Sequence, residues 1–455
     1  MKPLKIGIGG VRGVVGETFT PELAVAFAQA FGTYLGPGAI LVGRDTRASG
    51  PMVAAAVRAG LLATGCGVID LGICPTPSLQ LAVPWLAACG GISITAGHND
   101  TEWNALKFVR PDGLYLNVAQ AEELLDVYHQ GEFEKARSDG IHTFIADADA
   151  IGHHLEVLAG AFDTAAIRRR RPRVALDCCN GACVGLTPRW LDAIGCEVLA
   201  INDDDDAPFP HSPEPRPRTM AQVSAIVRAG HADIGFVHDA DGERIGIVDD
   251  RGRRLSEEYT LVLAAGAALA RRRGPIVTNV CTTGLVDRVA ELHGVPVIRT
   301  PVGQPNISAA ILEHSAILGG EGNGSVAVPE VQVSHDAAAT MTLLLEHLAR
   351  TGESVSSQVD RLPALSIVKQ VIPVDPRHIY SALHGFRQRV ADAPGAALDE
   401  TDGVRLDWAD GWVHVRASGT ESMVRVIAEA STQTRAQDLA DWARERLGNV
   451  GSDDR

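Results

Sequence analysis

One local grammar is written three times in this chain, and it constrains the fold more than any other feature. "AILVGRDTRASG" (39–50) leads into "PMVAAAVRAGLLATGCGVIDLG", "RVALDCCNGACVG" (173–185) into "LTPRWLDAIGCEVLAIN", and "PIVTNVCTTG" (275–284) into "LVDRVAELHGVPVIRTPVG". Each begins as a β-branched run, passes a polar or glycine turn, and continues with helical periodicity. A glycine (Gly65, Gly195, Gly294) closes the helix, and a second strand begins at Val68, Val198 or Val297. Strand–turn–helix–glycine–strand is how a parallel βαβ unit is written, with glycine at the left-handed position that ends a helix. Three units about a hundred residues apart predict three similar α/β domains. The last ninety or so residues alternate in strand fashion ("DGVRLDW", "GWVHVRASG", "MVRVIAEA") and end on the helical "RAQDLADWARERL", which predicts a smaller α+β domain. The boundaries fall at 1–150, 151–253, 254–366 and 367–455.

Composition narrows the partners. With 41 basic and 56 acidic residues the net charge is −15, which argues against non-specific nucleic-acid binding. The apolar run "VLAAGAALA" (262–270) is half a membrane span and stops at three arginines. No uninterrupted apolar leader opens "MKPLKIGIGGVRG". The eight cysteines form no CxxC pair and read as a reduced, buried set. The expectation is a cytoplasmic protein, monomer or homodimer, with a small-molecule ligand and neither membrane nor nucleic acid as partner.

Four loops carry the chemistry. "GISITAGHND" (91–100) ends an apolar strand in Gly97, His98, Asn99 and Asp100, with Lys107 following; ligands of open α/β sheets bind at such carboxyl ends. "HDADGERIGIVDD" (238–250) places Asp239, Asp241 and Glu243 at alternate positions, a spacing that converges oxygens on a hard cation such as Mg²⁺. Arg244 adds a donor for a phosphate oxygen. "GGEGNGSV" (319–326) brings backbone close to a ligand, with Glu321 and Asn323 suited to sugar hydroxyls. "VRASGTES" (415–422) presents Arg416, Ser418, Gly419 and Thr420 as a nest for phosphate. Taken singly, each also reads as an ordinary turn. Arg44 and Arg47, flanking Asp45, read as an internal ion-pair network, while His211 and His335 stay unassigned.

In this order the loops resemble those of the α-D-phosphohexomutases, the phosphoglucomutase, phosphomannomutase and phosphoglucosamine mutase family, over nearly the whole chain. "GRDTRASG", "GICPTPSL" (72–79), "GGEGNG" and "DGWVHVRASGTES" (410–422) are similar to the phosphoglucosamine/phosphomannomutase branch. The resemblance implies three α/β domains with mixed sheets and a smaller α+β domain around a central cleft, one loop from each. It implies that Asp239, Asp241 and Glu243 hold Mg²⁺, and that Glu321 and Asn323 meet sugar hydroxyls. Arg416, Ser418, Gly419 and Thr420 would hold the substrate's non-reacting phosphate. Arg12 and Lys107 would flank the transferring phosphoryl group, Lys107 as acid or base and His98 as a supporting donor.

The first loop departs from the family. Relatives carry a serine, phosphorylated in the active enzyme, where this chain has Gly97, and glycine has no oxygen to hold a phosphoryl group. Asp100 and Ser422 replace prolines, and Ala240 and Glu243 replace glycine and aspartate. Three functions follow as expectations. The first is interconversion of hexose 1- and 6-phosphates with another acceptor (His98 or Thr95) or a hexose 1,6-bisphosphate as cofactor. The second is a diverged phosphosugar reaction: hydrolysis, elimination or isomerisation. The third is non-catalytic phosphosugar binding.

Overall fold

The computed structural model describes residues 4–7, 10–141, 144–145, 148–390, 393–417 and 423–448. Each repeated unit forms the expected parallel pair: Ala39–Arg44 with Gly67–Ile73, Arg173–Asp177 with Glu197–Ile201, and Ile276–Asn279 with Val297–Thr300. The three closing glycines all adopt positive φ, at 84°, 81° and 63°. On its other side the first strand of each unit pairs in parallel with a third: Gly90–Ile94, Ile234–His238 or Leu318–Gly320. The chain then reverses, and a fourth strand lies antiparallel beside the third: Trp103–Val109, Ile245–Val248 or Val326–Ala327. The sheets are therefore mixed and share one topology three times, the first being widened to seven strands. Third strands such as Gly90–Ile94 and Ile234–His238 are buried at every position, as sheets covered on both faces require.

The C-terminal unit is an antiparallel five-stranded sheet in the order Ser366–Pro373, Met423–Ala430, Gly411–Ala417, Val404–Trp408, Ala397–Asp399. Its core is closed by Phe386 and Val390 from helix Ile379–Val390 and by Ala436, Leu439, Ala440 and Ala443 from helix Gln433–Leu447. The first unit has its own core around Phe27, Phe31, Ile92 and Leu106. The second and third share a continuous one, from Leu158 through Trp190 and Leu261 to Leu348.

Buried polar contacts fix the units to one another. Ser78 Oγ lies 2.8 Å from His154 Nδ1, and His154 Nε2 lies 3.0 Å from Asp336 Oδ2, all three fully buried, which ties the first three units together. The arrangement has the atom order of a nucleophilic triad, but without solvent access it serves as an interdomain tie. The fourth unit docks on the third through Glu429, which accepts from Gly284 N (2.7 Å), just before helix Leu285–His293, and from Trp412 Nε1 (3.0 Å). Lys369 adds pairs with Glu257 (2.8 Å) and Glu258 (2.7 Å). All eight cysteines are free thiols, and among the described residues no helix is long and apolar enough to cross a membrane.

Candidate functional site

The shared topology explains where the chemistry sits. The turn between third and fourth strands holds Gly97 and His98 in the first repeat, Asp239, Asp241 and Glu243 in the second, and Glu321 and Asn323 in the third. These turns face one cleft of about 430 Å³, whose lining includes Arg12, His98, Lys107, Glu243, Arg244, Glu321, Asn323 and Arg416. Ser418, Gly419 and Thr420 lie outside the described residues, so of the fourth loop only the flanks are seen. Arg416, 3.1 Å from Asp402, and Arg425 both line the cleft.

The Gly97 turn is held from behind. The Arg47 guanidinium donates to the carbonyls of Gly97 (2.8 Å), Asn99 (2.6 Å) and Asp100 (2.8 Å). It also pairs with Asp45 at 2.9 Å, both side chains fully buried. Of the expected ion-pair network the Arg47–Asp45 pair is present, while Arg44 donates to the Asp45 backbone carbonyl (3.1 Å). The pair positions a loop, which its sequence neighbours could not reveal. Thr95 Oγ1 donates to Asp45 Oδ2 (2.6 Å), accepts from Gly97 N (2.9 Å) and is fully buried. Gly97 has φ +55°, and a Cβ built there would lie 3.3 Å from Asp241 Oδ2. A side chain at 97 would therefore face the carboxylate loop. Arg12 donates to Asn99 Oδ1 beside it.

The carboxylate loop is turned in on itself by Gly242 (φ +77°) and by Asp239 Oδ1, which accepts from Gly242 N (2.9 Å) and Arg244 N (3.1 Å). Lys107 Nζ reaches across from the first unit and lies 2.7 Å from both Asp241 Oδ2 and Glu243 Oε2. Tyr115 donates to the other Glu243 oxygen. Burial and the adjacent Asp241 carboxylate push Asp239 well above the usual carboxylate range, while Lys107 outweighs burial and holds Asp241 below it. Burial works against the Lys107 ammonium, but Asp241 and Glu243 more than compensate and keep it charged. His98 lies well below the usual imidazole range, first through burial and then through Arg244, Arg12, Lys107 and Arg425. A neutral imidazole ringed by cations marks an electropositive corner suited to phosphate.

These residues fit a hard divalent cation in part. Two close carboxylates of opposed titration, with Asp241 Oδ1 buried and lacking a hydrogen-bond partner among the described residues, are an oxygen set suited to Mg²⁺. Glu243 is drawn aside by Lys107 and Tyr115 and would join them by leaving those partners. Among the described residues, only the exposed Asp204, Asp205 and Asp206 bring three ligand oxygens mutually within 4.8 Å. They sit on a solvated loop.

On the opposite wall Glu321 Oε1 accepts from Asn279 Nδ2 (2.8 Å) and Gly303 N (3.0 Å), and Asn323 Oδ1 accepts from Ser325 N (3.0 Å). Burial alone would raise Glu321, but the Asn279 and Gly303 donors and the nearby Arg244 hold it below the ordinary range. Sequence reasoning missed Tyr115, Gln304 and Lys369, which also line the cleft, and left His335 unassigned although it does too. His211 is not in the cleft. Its Nε2 is 3.0 Å from Asp177 and its Nδ1 is 2.8 Å from Ser212 O, so it pins a loop of the second unit.

The phosphoglucomutase/phosphomannomutase family models match in order: α/β/α domain I over 3–135, domain II over 153–252, domain III over 256–365 and the C-terminal domain over 381–446. A phosphoglucomutase/phosphomannomutase from Thermococcus kodakarensis is 36% identical over 442 residues, covering 95% of this chain and 96% of that protein. A phosphoglucosamine/phosphogalactosamine mutase from Sulfurisphaera tokodaii is 31% identical over 439 residues, with 95% and 96% covered. Among solved structures, a phosphoglucomutase/phosphomannomutase family protein from Burkholderia thailandensis superposes with a TM-score of 0.84 at 27% identity, covering 98% of each chain. An Aspergillus fumigatus N-acetylphosphoglucosamine mutase, solved with GlcNAc-6P and magnesium, has the same fold at a TM-score of 0.61 and 17% identity, covering 99% and 96%.

Proposed function

Since the chain belongs to the phosphoglucomutase/phosphomannomutase family, we propose that it interconverts the 1- and 6-phosphates of a hexose of the glucosamine/mannose type. The observation that carries this reading is the cleft itself. A cationic corner of Arg12, Lys107 and Arg244 abuts the paired carboxylates, and the Glu321–Asn323 wall faces it across a space sized for a sugar phosphate. In this reading Asp239 and Asp241, with Glu243 once released, hold Mg²⁺, which supplies charge neutralisation at the transferring phosphoryl group. Arg12, Lys107 and Arg244 orient that group, and Arg416 takes the phosphate at the sugar's far end. In phosphoryl transfer such positioning and charge stabilisation supply most of the rate.

Gly97 shapes the cycle. Thr95 is an unsuitable acceptor, because its hydroxyl is buried and committed to Asp45. His98 lines the cleft as a neutral imidazole, so its lone pair is free at neutral pH. The proposed cycle therefore starts from a hexose 1,6-bisphosphate, with His98 taking the phosphoryl group in serine's place. Phosphorus NMR of the protein with Mg²⁺ and hexose 1-phosphates, with and without the matching 1,6-bisphosphate, tests the reading. Hexose 6-phosphate should form only when the bisphosphate is present. Release of free phosphate instead would replace the mutase reading with a hydrolase, and unchanged spectra across glucose, mannose and glucosamine 1-phosphates would refute catalysis on this class.

A further inference from the structure

His335 is 2% exposed and lines the cleft, yet the described residues offer its Nε2 no hydrogen-bond partner. Its other ring nitrogen is spoken for. The Gln304 amide is assigned from its neighbours: with its nitrogen facing Glu243 Oε1 and His335 Nδ1 it donates to both at 3.2 Å and its oxygen accepts from His335 N, also at 3.2 Å, whereas the opposite orientation sets its oxygen against the Glu243 carboxylate. An imidazole that accepts at Nδ1 carries its single proton on Nε2. The result is a buried, unpaired N–H donor on the wall that also holds Glu321 and Asn323. Such a donor is costly to leave without an acceptor.

The ring is also held in place from below. Asp336, the next residue, accepts from Ala339 N (3.0 Å) to cap helix Ala337–Thr351. Its other oxygen lies 3.0 Å from His154 Nε2 and 2.7 Å from Gln332 Nε2. Residue 335 is therefore fixed where three units meet, and Gln304 begins helix Gln304–His314 directly after Gly303, whose N–H binds Glu321. Burial, helped by Arg244 and Lys107, lowers the His335 imidazole despite Glu321 and Glu243, in keeping with a ring that stays neutral.

We propose that His335 is a specificity-determining residue, donating one hydrogen bond from Nε2–H to a ring hydroxyl of the bound hexose, with Gln304 positioning its tautomer. This rests on the phosphosugar reading above and adds to it a donor that selects for a hydroxyl oxygen at one ring position. A site built to bond a hydroxyl rejects an analogue lacking it, because the buried donor is then left unpaired.

The test is calorimetric binding of glucose 1-phosphate and its 2-deoxy, 3-deoxy and 4-deoxy analogues to the full chain and to His335→Phe and His335→Asn. His335→Phe should bind glucose 1-phosphate about tenfold more weakly, as expected for one lost hydrogen bond to substrate. It should match the wild type for one deoxy analogue only, the one missing the partner hydroxyl. Equal loss against every analogue, or no loss, would overturn the proposal while leaving the phosphosugar reading standing. Failure of the wild type to bind any hexose phosphate would refute that reading and this proposal with it. Independently of how the variants fold, ¹⁵N NMR of histidine-labelled wild type should report His335 protonated at Nε2; a proton at Nδ1 would overturn the proposal.

Discussion

Gly97→Ser puts a hydroxyl back where the cleft lacks one, and its consequences can be worked from the geometry. The backbone at 97 has φ +55°, a left-handed conformation that costs an L-residue about 1–2 kcal/mol. The new Cβ meets Asp241 Oδ2 at 3.3 Å, closer than a relaxed contact, so the carboxylate or the loop must give by a few tenths of an ångström. Against this, removing a glycine from the unfolded chain returns about 0.4–1 kcal/mol. The net expectation is a loss of about 1 kcal/mol, or about 2–4 °C in the melting temperature of a unit this size. Arg47 holds the carbonyls of 97, 99 and 100 and keeps the loop from relaxing into an unstrained conformation. Scanning calorimetry should show the drop, and Gly97→Ala should show it equally. Phosphopeptide mapping by mass spectrometry after incubation with Mg²⁺ and a hexose 1,6-bisphosphate should find a phosphoryl group on residue 97 of the serine variant and none there in the alanine variant, separately from any on His98. A serine variant as stable as the wild type would refute the strain argument. One that is destabilised but takes no phosphoryl group would refute the claim that the position faces the reacting phosphate.

Two further outcomes test the charge arrangement. Lys107→Met leaves Asp241 and Glu243 without their shared cation; breaking a buried pair of this kind costs about 3–5 kcal/mol. Because Mg²⁺ then no longer competes with an ammonium for the same oxygens, added Mg²⁺ should raise the variant's melting temperature more than the wild type's, and a smaller rise would count against metal at this loop. His211 is raised above its ordinary value, because bonds to Asp177 and Ser212 O outweigh the opposing effect of burial. A raised histidine contributes stability that is complete below its unfolded value of about 6.5 and is lost as pH rises through the folded one. The stability gap between wild type and His211→Gln should therefore shrink from about pH 6 to about pH 9; a gap that stays constant in urea titrations at both values would refute the ion pair.

What the sequence made legible, and what it hid, follows from the range of the forces involved. The βαβ units could be read because β-branched runs, helical periodicity and a glycine in the left-handed region are decided within a dozen residues. The turns of the first three loops could be read because glycine and alternate carboxylates advertise a turn locally; the fourth lies largely outside the described residues. The contacts that turn those loops into a site could not be read. Arg47 meets Gly97 across 50 residues, Tyr115 meets Glu243 across 128, and Lys107 meets Asp241 across 134. These partners belong to different elements and meet only through tertiary packing, within the first repeat for Arg47 and Gly97 and between the first and second repeats for the other two pairs. That packing also sets the site's electrostatic balance. The buried ammonium of the first unit neutralises the carboxylates of the second, and neither would tolerate its degree of burial alone. Charge compensation and domain association are therefore one interaction at this interface. A cation binding these carboxylates competes with Lys107 for them, and a phosphate competes with them for Lys107, so ligand binding and the fit between the first two units must be thermodynamically linked.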